Sequence, residues 1–503
     1  MRTIRFSSYC IGVVLLAGVT VAPAGFEVIY CEIAGQPTAI VPGARDADGN
    51  PVVAQFTALE ELALRPDGGE WVIKGRSNLA TTLDSLLLVG SGLVGTMLAQ
   101  DGQPLQGGGV GEQYDFFDSP VPAAWNAAGD LAFSCRAKGG ATNKAEKVVR
   151  VSGGVHTVIV QQNDAALGLI DQPPNPSGDE TIGNSINSVH LLDSGEAAFV
   201  NTPIGNCHSN RYPAFFRGHT GFRQCGVSPI GGELWDDMDY DDCGGTSDGQ
   251  HWFIKGDTDR GDTSTDNILA VDDQVVLREG SPVAGSSVTM AAIFFTRMLS
   301  DGTWFCRGDD PIDNDWAVRS GVLLAKTGDP IVPGENWGAV FTAFTGNRVG
   351  DWLLIGNTDA TDPTKDNVMV LNGSEILARE GDPIDVDGNG QFDDDAYIAT
   401  FQPNDAHLTD DKTVHLLVTL RNAAGTNTGD AFLRLRPIAF RTGDTNCDGV
   451  VNFDDIDPFV LALSGQAGYE AQYPDCRWLN ADCDLDGDVD FDDIDAFVAL
   501  LGG

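Results

Sequence analysis

Between residues 25 and 440 two short phrases alternate along the chain, and a fold for this chain has to honour their period. The first is an apolar run ending in Gly-x-Pro: Gly35-Gln-Pro37, Gly102-Gln-Pro104, Gly280-Ser-Pro282, Gly328-Asp-Pro330 and Gly381-Asp-Pro383. A looser form is Gly226-Val-Ser-Pro229, and a degraded one lies near Gln162-Asn163. The second is a turn with Gly leading into an aromatic or apolar run: Gly69-Glu-Trp71, Gly129-Asp-Leu-Ala-Phe133, Gly195-Glu-Ala-Ala-Phe199, Gly249-Gln-His-Trp252, Gly302-Thr-Trp304 and Gly350-Asp-Trp352. Asp410-Asp411-Lys-Thr-Val414 is its degraded seventh copy. A period of about 50–65 residues belongs to repeat architectures.

Inside one period the pattern reads as four short strands. In the sixth unit they are 339–344, 351–355, 367–371 and 375–379, with Asn372-Gly373 as a hairpin turn between the last two. The fifth unit turns at Gly321 and the second at Gly153-Gly154. Short strands split by Gly, Asp and Asn turns, with almost no helical period, predict a mainly β fold. Seven units of four strands predict a seven-bladed β-propeller. The seventh unit supplies only three strands, near 397–401, 414–420 and 431–435, while residues 27–33 at the start form a strand leading into a Gly-x-Pro. The N-terminal strand is therefore expected to complete the last blade and remove its open edge. Irregular third and fourth units leave an open stack of sheets, or six or eight blades, as alternatives.

The last sixty or so residues carry a different pattern, written twice. One copy is Asp444-Thr-Asn446-Cys-Asp448-Gly449-Val450-Val-Asn452-Phe-Asp-Asp455; the other is Asp482-Cys-Asp484-Leu-Asp486-Gly487-Asp488-Val-Asp490-Phe-Asp-Asp493. Oxygen-bearing side chains stand at positions 1, 3, 5, 9 and 12, with Gly at 6, and the carbonyls of Val450 and Asp488 fall at position 7. That is the spacing of a loop that wraps calcium, a hard cation taking several oxygens. Each loop is followed by apolar residues at i, i+3, i+4 and i+7: Ile456, Phe459, Val460 and Leu463, then Ile494, Phe497, Val498 and Leu501. Two short amphipathic helices packed face to face are expected, with Pro458 tolerated in the first turn of its helix.

This duplicated loop–helix pattern resembles a dockerin domain over about residues 441–503. The resemblance implies a calcium-folded module with two metal sites, which plugs a secreted protein into a cohesin-like or other surface partner. In that family the residues at loop positions 10 and 11 face the partner; here they are Phe453-Asp454 and Phe491-Asp492, not the small hydroxyl residues common there. The stretch Asn126-x-x-Gly129-x-x-Ala132-Phe133, with Gly195 to Phe199 as a partial second copy, is also similar to a bacterial secreted family of tandem Asn-x-x-Gly-x-x-Ala-Phe repeats with varied C-terminal anchors. That resemblance implies a layout of repeat plus anchor; no activity is carried over from it.

Residues 1–24 read as a secretory signal: Arg2 and Arg5, an apolar run from Cys10 to Val21, and Ala22-Pro-Ala24 as a cleavage site. No later apolar run is long enough to span a membrane. The expected organisation is thus signal 1–24, repeat domain 25–440 and C-terminal domain 441–503, in a secreted or cell-surface protein. A net charge of -43 argues against nucleic acid and anionic membranes as partners. Of ten cysteines, Cys10 leaves with the signal, so nine remain. Cys447 is placed to pair with Cys476 or Cys483, Cys207, Cys225 and Cys243 offer a second pair, and Cys31, Cys135 and Cys306 fall in strands expected to be buried.

Chemistry inside the repeat is sparse. Asp385-x-Asp387-x-Asn389-Gly390-Gln391-x-Asp393 is a candidate third calcium loop, although Ala396 stands at position 12; Asp46-x-Asp48-Gly-Asn50 is a weaker echo. The run Asp236-Asp237-Met-Asp239-Tyr-Asp241-Asp242 reads as a solvated loop, and the Trp residues at 71, 252, 304 and 352 read as blade core. No catalytic residue is assigned. The leading functional expectation is a non-catalytic, exported protein that binds or displays, with polysaccharide one candidate ligand. The alternatives are a glycoside hydrolase carried on a dockerin and a structural surface-layer component.

Overall fold

The computed structural model describes residues 26–117, 123–173, 175–283, 286–389, 392–436, 442–447, 451–473, 476, 478–483 and 489–501. Seven antiparallel sheets follow one another around a ring. Blade 1 is built from Phe56–Leu64, Trp71–Ser77, Ser85–Ser91 and Val94–Gln100, paired in chain order from the innermost strand outward. Blade 6 runs Glu335–Gly346, Trp352–Thr358, Asn367–Leu371 and Glu375–Arg379 in the same order, close to the expected bounds. Blades 3 and 4, the irregular units of the sequence, also have four strands each; the inner strand of blade 4 is only Cys243–Gly245, and a small extra hairpin, Pro229–Ile230 with Glu233–Leu234, precedes it. The arrangement is a seven-bladed propeller.

Blade 7 is completed by the start of the chain. Phe26–Cys31 pairs antiparallel with Asn427–Leu435, outside Val414–Arg421 and Tyr397–Leu408. Glu27 accepts a 2.6 Å hydrogen bond from Nε of Arg434 across this join. Tyr30 then reaches into blade 1, where its ring packs on Phe56 and Trp71 and its hydroxyl accepts from the Gly95 N–H at 3.0 Å. Buried apolar residues form seven clusters, one at each junction between neighbouring blades, including the junction of blade 7 with blade 1. A sheet twists and exposes two apolar faces, so a ring in which each face meets the next blade buries both.

The two repeated phrases mark the two turns of this geometry. Gly102 of the Gly-x-Pro phrase has φ 73°, and a side chain there would meet Leu83 at 2.4 Å and the Thr82 carbonyl at 2.8 Å, so only glycine fits. The Gly phrase closes the turn from inner to second strand, with Gly302 N–H donating to Leu299 O and the seventh copy using Lys412, at φ 67°, in the same left-handed place. In the first copy that place belongs to Gly68, not Gly69. Trp71, Trp252, Trp304 and Trp352 each begin the second strand of a blade and pack in its core. A third recurring device escaped the sequence reading. Thr258 and Arg278 both donate to Glu233, as Thr358 and Arg379 do to Glu335, holding the same corner of blades 4 and 6.

Past the propeller, α1 (Ile456–Leu463), α2 (Gln466–Gln472) and α3 (Asp493–Leu501) surround a small core of their own. α2 was not anticipated. The apolar stripes of α1 and α3 divide: Phe459 and Phe497 are buried, while Ile456, Val460, Ile494 and Val498 are exposed. Two small helices have too little surface to cover each other's whole stripe. Cys447 is joined to Cys476, which decides between the two pairings left open. Cys207, Cys225 and Cys243 form no disulfide, against expectation: Cys207 packs at the junction of blades 2 and 3, while Cys225 and Cys243 share the core between blades 3 and 4 as free thiols. Cys31, Cys135 and Cys306 are buried in strands as expected. No helix among the described residues is long and apolar enough to cross a membrane. The signal residues 1–24 lie outside the described residues.

Candidate functional site

The duplicated tail builds the same local geometry twice. In the first copy Asp455 folds back on its loop: Oδ1 accepts from the N–H groups of Thr445 (2.7 Å) and Asn446 (2.9 Å), and Oδ2 from that of Asn452 (2.8 Å). Asn452 in turn accepts from Asp454 N–H at 2.6 Å, completing a capping box. In the second copy Asp493 accepts from Cys483 N–H (2.6 Å) and Asp490 N–H (2.9 Å), and Asp490 from Asp492 N–H (2.7 Å). Asp at position 12 thus reaches the start of the loop in both copies. Asp444 and Asp455 are buried, as are Asp482 and Asp493. Phe459 and Phe497 stack with ring centroids 4.0 Å apart and planes within 4°, so the two halves meet face to face. Tyr469 donates to the Thr445 carbonyl at 2.8 Å and Trp478 to that of Ala462 at 2.9 Å, bracing the pair. Asp448, Val450, Asp484, Asp486 and Asp488 lie outside the described residues.

Phe453 and Phe491, at position 10 of each loop, are 75% and 76% exposed. With Ile456 and Val460 on one side and Ile494 and Val498 on the other, each copy presents the same small apolar surface beside an exposed Asp454 or Asp492.

The candidate third loop closes differently from its reading. Asp385, Asp387 and Asp394 bring carboxylate oxygens within 4.8 Å of one another, so Asp394 takes the place expected of Asp393. Asp393 instead accepts from Asn389 Nδ2 at 3.3 Å. Asp394 accepts from the Val386 and Asp387 N–H groups, and Asp385 from those of Gly388 and Asn389. Gln391 lies outside the described residues. Its echo is an ordinary turn, where Asp46 accepts from the Asp48 and Asn50 N–H groups.

The propeller axis holds a cavity of about 370 Å³ lined by the inner strands of all seven blades, from Leu62 in blade 1 to His407 in blade 7. Of its residues the sequence singled out only Asp241, Cys243 and Asp410, none of them as a site. Arg297 reaches across from blade 5 to donate to Thr345 Oγ1 (3.2 Å) and to the carbonyls of Ala406 (2.7 Å) and Asn404 (2.9 Å). Those carbonyls sit on a bulge in the inner strand of blade 7, where Asn404 has φ 63°. Asp405 on the same bulge accepts from Leu62 N–H at 2.9 Å, and His407 Nε2 donates to the Leu62 carbonyl at 2.9 Å. Blades 1, 5 and 7 are thereby tied together at the axis.

Burial sets the protonation states here. It pushes the Asp405 carboxyl up to about 7, with the Leu62 N–H opposing, Glu61 adding to the rise and Arg297 opposing it. It lowers Arg297 to about 10 and His190 to about 4, and takes His407 well below its usual range. Asp242, in the run read as solvated, is buried against Lys255 at 3.1 Å and is pushed up to about 7 by that burial; the cation that pulls it inside comes from the next strand. Ser188 spends its hydroxyl on the Tyr240 carbonyl, and burial holds the Cys243 thiol well above its usual value.

Between about pH 4 and 7 the folded protein keeps a proton on Asp405 that the unfolded chain has lost, so this group's contribution to stability falls as pH rises through that window. Asp405→Asn is expected to flatten the decline of melting temperature between pH 4 and 7 relative to the parent chain. Parallel profiles for the two proteins would refute the assignment.

No family model matches this chain, and no curated protein matches it. Among solved structures it is similar to prolyl oligopeptidase B from Galerina marginata at 12% identity and a TM-score of 0.36, over 76% of this chain and 48% of that one. It spans about half of that chain's length. It is also similar to BBS1N in complex with ARL6DN, at 8% identity and a TM-score of 0.32 over 80% and 98% of the two chains. A third similarity is to the gluconolactonase XC5397 from Xanthomonas campestris, at 11% identity and a TM-score of 0.29 over 67% and 93%.

Proposed function

We propose that this chain is an exported, non-catalytic binding or display protein, in which the propeller carries the recognition surface and the C-terminal module attaches it, after binding calcium, to a cohesin-like or other surface protein. The reading rests on one observation: the tail repeats the same buried carboxylate closure twice around a stacked Phe459–Phe497 pair. Buried carboxylates are costly without a counter-charge, and the ligand spacing of Asp444 to Asp455 and of Asp482 to Asp493 fits a hard cation. The matching exposed surfaces centred on Phe453 and Phe491 are suited to an apolar partner. The channel groups Arg297, Asp405 and His407 are bonded to neighbouring backbone, which suits a scaffold.

Calorimetric titration of calcium into the intact chain tests the attachment half. Asp455→Ala with Asp493→Ala is expected to remove two equivalents and reduce the helical signal, while the β signal stays. Unchanged stoichiometry in the double variant would sink the reading. A second reading, polysaccharide hydrolysis in the channel, draws on Asp405 lying close to Glu61 with its carboxyl near neutrality. Turnover of a polysaccharide by the intact chain, lost on Asp405→Asn, would replace the first reading with this one.

A further inference from the structure

Two guanidinium groups meet beside the axial cavity. Arg297, on the inner strand of blade 5, and Arg307, on the second strand of that blade, both bond to Asn404 on the blade 7 bulge. Arg297 Nη2 donates to the Asn404 carbonyl at 2.9 Å, and Arg307 Nη2 to the Asn404 side-chain Oδ1 at 3.2 Å. Arg297 Nη1 adds the Ala406 carbonyl and Thr345 Oγ1, and its Nε takes part in none of these bonds. Arg307 has less support. Its Nε is buried with no acceptor, and its guanidinium carbon lies 5.5 Å from the centre of the Phe294 ring. Among the described residues neither guanidinium forms an ion pair with a carboxylate.

The nearby acids are committed elsewhere. Asp405 gives Oδ1 to the Leu62 N–H, and burial pushes its carboxyl up to about 7. Asp315, the acid that most favours charge on Arg307, accepts from the Phe341 N–H, and burial pushes it up to about 6. Carbonyl oxygens solvate a guanidinium without cancelling its charge. Two like charges drawn to one covered residue carry a cost that a counter-anion removes. Arg297 also lines the cavity of about 370 Å³, together with Trp125, Phe253 and Phe295. The other arginines in that wall are paired, Arg65 with Asp67 and Glu70 and Arg348 with Asp410. Pockets for small ligands begin at about 300 Å³, so the space suits one molecule built on a single ring.

We propose that the axial cavity binds a small organic monocarboxylate, with its carboxylate on Arg297 and its body against the aromatic wall. The proposal rests on the reading of the propeller as the recognition half of the protein, and names what that half takes. A planar guanidinium matches the two oxygens of a carboxylate. One cation free of acid partners balances one negative charge. Glu61, Asp241 and Asp405 stand in the same wall and repel a dianion such as phosphate. Arg307, held on the same Asn404, adds its charge to the attraction.

The test is calorimetric titration of the full-length chain with benzoate and with glucuronate, each beside its neutral counterpart, benzyl alcohol and glucose. Salt of about 0.15 M screens the acidic outer surface beyond about 8 Å. One equivalent of a carboxylate is expected to bind, about tenfold or more tighter than its neutral counterpart. Arg297→Gln should abolish that preference, and Arg297→Lys, which keeps the charge, should recover part of it. Near pH 8 Asp405→Asn should tighten binding severalfold, because it removes a negative charge that faces the ligand while keeping the acceptor for Leu62. The proposal is overturned if neither carboxylate binds, if the neutral molecules bind as well, if Arg297→Gln keeps the preference, or if Asp405→Asn weakens binding. Where Arg297→Gln does not fold, the carboxylate-to-neutral ratio and Asp405→Asn still decide. Turnover of a polysaccharide would replace the non-catalytic reading without altering the Arg297 result. The tail is untouched by these variants, so attachment stands or falls separately.

Discussion

Tyr30→Ala is expected to destabilise the propeller by about 3–5 kcal/mol, as large-to-small changes in a packed core do. Tyr30 sits on the last strand to join blade 7 and inserts between Phe56 and Trp71 of blade 1. Its loss opens a void at the one junction where the two ends of the ring meet. Part of the effect comes from the Gly95 N–H, which would be left without its acceptor. Tyr30→Phe isolates that part and should cost about 1 kcal/mol. Deleting residues 26–31 goes further: it strips the outer strand from blade 7 and exposes an unpaired edge. The truncated chain is expected to lose cooperative unfolding in denaturant and to associate through that edge. A truncated chain that unfolds in a single transition at the parent's midpoint would show that three strands suffice in blade 7.

The second large effect is expected in the tail. Phe459→Ala removes half of the stacked pair at the centre of a small core, in which eight apolar residues are buried among the described ones. The transfer and cavity cost of about 3–5 kcal/mol is comparable to the whole stability available to a domain of that size. The expected result is a chain whose propeller melts as in the parent while α1 and α3 are lost from the far-ultraviolet spectrum. Limited proteolysis should then cut within 442–501 and spare the blades. Reducing the Cys447–Cys476 disulfide should act in the same direction by about 2–4 kcal/mol. Retention of the helical signal in Phe459→Ala would mean that the two halves do not depend on each other.

Much of the fold was legible because its signals are local. A left-handed glycine, a hairpin Asn372-Gly373 or an alternating strand is decided within a few residues, and seven repetitions make the pattern hard to miss. The N-terminal strand was recoverable for a related reason: the seventh unit lacked a strand and the chain began with one. The tail loops were legible because the spacing of Asp444 to Asp455 lies within twelve residues. The same locality misled where neighbours compete. Asp393 and Asp394 differ by one position, and the turn at Asp385–Asn389 selects Asp394 for the cluster. Ile456 and Val460 carry the period of a buried face but stay exposed, because the partner helix is too small to cover them.

What the sequence determined by itself was the repeat, the strand missing from its last unit and the loop–helix duplication, since each follows from backbone preferences and hydrophobic period over short spans; the tertiary structure chose seven blades among the alternatives. Tertiary structure alone decided the rest. Arg297, Asn404 and Leu62 come from three blades and meet only because the ring brings strand 1 back to strand 7. Asp171 meets Cys207 and His208 through a long connection with no period to read. Cys447 met Cys476 and not Cys483 because the fold of the two loops set the distance between them. Contacts between distant segments depend on where the chain returns after many residues, and that is a property of the closed ring.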